Sequence, residues 1–125
     1  MPYNKELTLT ILRQIETAIL QIQSRTAELH CADDFLISPE RVEKLDAVCM
    51  QLIAIGESLK GLDKVTNKEL LITDTSIPWR KVMGLRDIIA HHYFDVDAEE
   101  IWWVIENGLN PLLKSMQNFI QELSR

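Results

Sequence analysis

Four glycines and four prolines are scattered singly through 125 residues, so the chain has no Pro/Gly-rich linker, and it shows no internal repeat or low-complexity tract. One domain spanning 1–125 is the expectation, large enough to bury a core without staples. Cysteine is scarce: Cys31 and Cys49 lack zinc-ligand spacing, and a reduced, buried role is expected over a disulfide. No apolar run approaches the roughly 18 residues a membrane span needs, and the first residues lack a basic-then-apolar signal pattern. The expectation is a cytoplasmic protein with no membrane contact. Also missing are a glycine-rich phosphate loop, a nucleophile elbow, and any Glu-x-x-His or His-x-x-x-His pair. No metal site and no cofactor are expected.

Net charge is −6, which counts against a general nucleic-acid coat, because phosphate contacts dominate the affinity of such proteins. Charge is uneven, however. Residues 59–86 carry Lys60, Lys64, Lys68, Arg80, Lys81 and Arg86 against Asp63, Glu69 and Asp74, and so lean positive.

What is present is helical periodicity. Asn4 is a candidate N-cap for a first helix with Leu7, Ile11, Ile15, Ala18, Ile19 and Ile22 on one face, expected to run to about Leu29. Ser38, Pro39 and Glu40 mark a second start. Its face is Val42, Leu45, Val48, Leu52, Ile55 and Leu59, with Gly61 the expected terminator. Residues 62–77 read as an irregular connection with a short turn around 68–72. Pro78 opens a third helix that should fade near His92 or Tyr93. Asp97, with Glu100 three residues on, resembles a capping-box start for a fourth helix, which carries Ile101 through Leu123. Gly108 and Pro111 lie inside that pattern, predicting a bend near Asn107 and not a stop. No strand alternation occurs, and the fold class is an all-α, four-helix up-down bundle. Adjacent Trp102 and Trp103 point about 100° apart on a helix. One can enter the core, while the other is available for an interface such as a homodimer.

The densest chemistry lies in Arg86-Asp87-Ile88-Ile89-Ala90-His91-His92-Tyr93. Arginine grips phosphate in a planar fork, and histidine suits proton transfer near neutrality. On a continuous helix Arg86 and His91 project about 140° apart. Convergence on one phosphate therefore needs the long guanidinium, local unwinding at His91, or a two-fold dimer. Asp87 has two candidate jobs, orienting an imidazole or holding Arg86 in an ion pair. The plain alternatives are a hydrogen-bonded structural histidine and a surface Arg–Asp pair, and the residues alone leave these open.

The spacing Arg86, four residues, His91, one residue, Tyr93 resembles the signature of the HepT-like branch of the HEPN superfamily. The flanks agree: Ile55-Gly56-Glu57-Ser58, then Ile77-Pro78-Trp79-Arg80, then the Asp97 start and a proline-bearing last helix. The resemblance implies a metal-independent endoribonuclease toxin of a type VII-like toxin–antitoxin module. It further implies a homodimer with paired motifs lining a cleft, and a minimal nucleotidyltransferase antitoxin that adds AMP to the motif tyrosine. Carried over by position, Arg86 and His91 are the catalytic pair, Asp87 supports them, and Tyr93 is the modification candidate. Many relatives have Asn at the position of Asp87, whose negative charge bears on rate. Lys60, Lys64, Arg80, Lys81 and His92 are candidate contacts for the RNA, whether tRNA or mRNA. The alternative is a non-catalytic helical binding subunit that pairs with the nucleotidyltransferase.

Overall fold

In the computed structural model, residues 3–91, 93–95 and 97–125 are described, His91 and Tyr93 by their backbone alone. The described residues are all helix, turn and loop, with no strand. Helix α1 (Lys5–Thr26) starts where the Asn4 side chain accepts from the Leu7 N–H at 3.0 Å. Helix α2 (Pro39–Val65) starts where Ser38 accepts from the Arg41 N–H at 3.2 Å. Both expected caps are in place, and each satisfies a backbone donor that the helix itself cannot.

Two ends fall elsewhere than expected. Helix α1 stops at Thr26, whose buried hydroxyl donates to the Ile22 carbonyl at 2.8 Å. Leu29 then turns into the core, and a 3₁₀ turn (Ala32–Leu36) buries Phe35 completely. Helix α2 passes through Gly61 because fully buried Leu62 continues its apolar face. It closes at Asn67 and Lys68, which have φ of 57° and 61°. The Lys68 N–H donates to the Asp63 carbonyl at 2.8 Å and the Asn67 N–H to the Lys64 carbonyl at 3.1 Å, a left-handed closure that Asn tolerates well. Val42 and Leu7, expected on buried faces, are exposed.

The connection to α3 (Trp79–His91) contains a short 3₁₀ turn (Leu71–Thr73), and another (Tyr93–Asp95) follows α3. Asp97 then caps α4 (Ala98–Trp103) through the Glu99 N–H at 2.9 Å. The chain stays helical past Gly108 and Pro111, as expected, by way of a π-helical segment (Val104–Gly108) leading into α5 (Leu109–Leu123). Pro111 lacks the N–H that would bond the Asn107 carbonyl, and its ring crowds that turn. Widening the preceding turn accommodates it: the Leu109 N–H reaches back five residues to Val104, and the Asn107 amide donates to the Trp103 carbonyl at 3.1 Å.

Helix α2 packs against both α1 and α3, and α1 packs against α5. One core runs from Leu12 to Leu123 through all of them, with Leu52, Leu59, Leu62, Leu109 and Met116 almost wholly enclosed. The bundle is HEPN-like, as the sequence implied. Trp102 meets Phe35 edge-on, with ring centroids 6.2 Å apart, while Trp103 stays 64% exposed. The adjacent pair therefore splits between core and surface.

Candidate functional site

Helix α3 carries the motif, and α2 determines where α3 lies. Gly56 lies where the two backbones come close: a Cβ there would stand 3.3 Å from the carbonyl oxygens of both Val82 and Met83. A side chain at this position would press on the α3 backbone, which glycine leaves undisturbed. At the far end of the connection, Trp79 anchors the start of α3. Its indole N–H donates to the Asp74 carbonyl at 2.9 Å, and its ring lies 6.3 Å from that of Phe119 on α5. Ile89 is buried and fixes the rotation of α3 about its axis.

With α3 so placed, Arg86 extends toward α2. Its Nε lies 3.1 Å from Oε1 of Glu57, and its Nη1 donates to Oδ1 of Asp87 at 3.1 Å. The three side chains are each about half exposed, so the pairs are screened by water and contribute little to stability. Their effect is geometric. Of the two jobs open to Asp87, contact with Arg86 is seen among the described residues; the imidazoles it could orient lie outside them. His91 closes α3 one turn beyond Asp87. Its side chain and that of Tyr93, and the whole of His92, lie outside the described residues.

The candidate RNA contacts divide. Lys60 and Arg80 line one open depression of about 450 Å³ together with Asp87, Asp63 and Gly84. Lys81 instead borders an apolar groove between α3 and the π-helical segment, with Leu85, Trp103 and Pro111. Lys64 is exposed one turn beyond Lys60. Around Arg86 and the depression, Lys60 and Arg80 join it against Glu57, Asp63 and Asp87, so charge balances locally. Among the described residues no group of three His, Cys, Asp or Glu side chains is placed to hold a metal ion. No described helix is long and apolar enough to cross a membrane.

Glu57 was visible in the sequence only as part of a flank, with no role attached. The available signal was a charged residue immediately after Gly56, between Ile55 and Leu59 on the buried face of α2.

Comparison with known proteins resolves what kind of bundle this is. A family description, "Ribonuclease HepT-like", matches residues 15–122. The chain belongs to the HepT-like ribonuclease family. The match runs from the middle of α1 to the last turn of α5 and includes the Arg86–Tyr93 motif, and it bears out the expectation of an RNA-cleaving enzyme class. The HepT-like chain is 32% identical to a Thermococcus cleftensis protein named "Probable ribonuclease HepT", over 82% of this chain and 86% of that one. It is 29% identical to a Caldanaerobacter subterraneus protein whose name proposes an RNase, over 90% and 89% of the two chains. A Methanocaldococcus jannaschii protein, also named as a proposed RNase, is 30% identical over 73% of this chain and 69% of its own. No solved structure matches.

Proposed function

We propose that this protein is a metal-independent endoribonuclease toxin, with Arg86 and His91 as its catalytic pair. The observation that carries the reading is a half-exposed Arg86 guanidinium, held between Glu57 and Asp87 on the helix that His91 closes, in a chain of a ribonuclease family. RNA brings its own nucleophile. His91 takes the proton of a 2′-hydroxyl, the 2′-oxygen attacks phosphorus, and the 5′-oxygen departs with a proton supplied by the His91 of a second copy. The products are a 2′,3′-cyclic phosphate and a 5′-hydroxyl. Arg86 stabilises the charge that grows on the phosphoryl oxygens.

The second copy enters for a geometric reason. Five residues on a helix turn Arg86 and His91 about 140° apart, so one chain supplies half a site. Exposed Ile88, Phe94 and Trp103 offer apolar surface for a homodimer on the motif side of the bundle. Lys60 and Arg80 are placed to hold flanking phosphates along the depression beside Asp87; Lys64 extends that line, while Lys81 and His92 are assigned no contact in it. The neutralising partner is a minimal nucleotidyltransferase, which adds AMP to Tyr93 in a type VII-like module.

The test is cleavage of total tRNA and mRNA by purified protein in EDTA. Wild type should cut, leaving cyclic phosphate ends, while Arg86→Ala and His91→Ala should each lose activity with an unchanged melting temperature. Wild-type rates in either variant, or a strict need for divalent metal, would sink the assignment. Intact RNA together with tight binding to the nucleotidyltransferase would favour a non-catalytic binding subunit instead.

A further inference from the structure

We propose that Glu57 is the positioning residue for Arg86, fixing the plane in which the guanidinium meets an RNA phosphate; this rests on the role given to Arg86 above. The two side chains come from different helices and meet where the α3 backbone passes close to α2. Glu57 directly follows Gly56, whose missing Cβ brings the backbone of Val82, Met83 and Arg86 against α2. From there Oε1 of Glu57 lies 3.1 Å from Nε of Arg86.

The geometry of the guanidinium gives this contact its meaning. Arginine has five N–H donors in one rigid plane. Oε1 of Glu57 stands 3.1 Å from Nε as an ion pair, and Nη1 donates a hydrogen bond to Oδ1 of Asp87 at 3.1 Å. An opposite charge at one edge of a planar group and a hydrogen bond at another restrict how it can turn. Among the described residues nothing engages Nη2, which leaves its two donors for a phosphate. Among the described residues, the other contact of this 48% exposed side chain is Asp87, a neighbour on its own helix that moves with it. Of these two contacts, Glu57 is the one that references Arg86 to another helix.

Charge predicts an effect of opposite sign on binding. Glu57 is a carboxylate beside a proposed phosphate site, so it weakens attraction for RNA even as it orders the group that stabilises the transition state. Removing it should therefore lower kcat without raising KM. A residue that only supports the fold would lower the melting temperature and the active fraction, and would not separate the two constants. One that only repels RNA would, on removal, increase activity.

The experiment uses the full chain and a synthetic oligoribonucleotide as substrate. Glu57→Ala should lower kcat by up to about fivefold, the effect of losing one screened ion pair, with KM unchanged or lower. Glu57→Gln keeps the length without the charge and should lose kcat as Glu57→Ala does; Glu57→Asp keeps the charge one methylene shorter and should recover part of it. Adding Glu57→Ala to Arg86→Ala should cost nothing more. In ¹⁵N spectra, rotation of the Arg86 guanidinium should be restricted in wild type and freer in both Glu57→Ala and Glu57→Gln. Wild-type kcat in Glu57→Ala, while Arg86→Ala is inactive, overturns the inference and spares the reading of the site. Full activity in Arg86→Ala overturns both.

Discussion

The hydroxyl of Ser115, buried on α5, donates to Oδ2 of Asp74 at 2.7 Å, tying the connection before α3 to the last helix. Asp74 also accepts from the Ser76 hydroxyl at 2.6 Å and the Ser76 N–H at 3.0 Å, while its own carbonyl accepts from the Trp79 indole. These donors, Ser76 first and Ser115 next, hold its carboxyl below the ordinary value of 3.8. A depressed carboxyl stabilises the fold above its unfolded pKa, and that contribution is lost as pH falls through the lower folded value. Asp74→Ala should therefore cost about 1–2 kcal/mol at neutral pH, because the Ser115 hydroxyl is left buried without its acceptor. Urea denaturation should show the gap between variant and wild type narrowing as pH drops below 3.8. A gap that widens in acid would contradict the sign.

Gly56 should resist substitution although it lies within a helix. Alanine gains up to about 1 kcal/mol in helix propensity, but its Cβ would meet two backbone carbonyl oxygens at 3.3 Å. Backbone gives way less easily than a side chain end. Gly56→Ala should lower the melting temperature slightly, and Gly56→Val should cost about 1–3 kcal/mol through overpacking. If Gly56→Ala raised stability, α2 and α3 would be less tightly engaged than the distances indicate.

The two thiols should behave differently toward an aromatic disulfide reagent. Burial pushes the Cys49 thiol up to about 11, so at neutral pH it stays protonated and inert. Cys31 is exposed, contrary to the expectation that both cysteines are buried. One thiol should titrate in the folded protein and two in urea. Rapid native reaction of Cys49, isolated with Cys31→Ser, would refute the burial argument.

Incubation with ATP and the cognate nucleotidyltransferase should add AMP to Tyr93. Mass spectrometry would read the gain, and Tyr93→Phe should abolish it while leaving RNA cleavage intact. The added group brings bulk and negative charge next to the motif, competing with RNA for its cations. No mass gain in wild type would leave inhibition by binding alone.

Local signals were legible in the chain. Asn4, Ser38 with Pro39, and Asp97 each announced a helix start, because the bond that caps a helix is made within a few residues. The end of α2 was misplaced for a related reason: Gly61 is a common stop signal, but Leu62 still had a place in the core, and Asn67 took the left-handed position instead. The π-helical route past Pro111 was readable as a disturbance, though not in its form.

By itself, the sequence determined the helical class, the helix starts, the split between Trp102 and Trp103, and the octapeptide in which Arg86, His91 and Tyr93 are concentrated. All of these follow from spacing along one chain. Only the tertiary structure decided that Asp87 meets Arg86, that Lys60 and Arg80 share a depression with Asp87 while Lys81 does not, and that Glu57 pairs with Arg86. Glu57 and Arg86 are far apart in the chain, and their meeting depends on how closely two helix backbones approach. That distance is set by the absence of a side chain at Gly56, which no pattern of charge or hydropathy encodes.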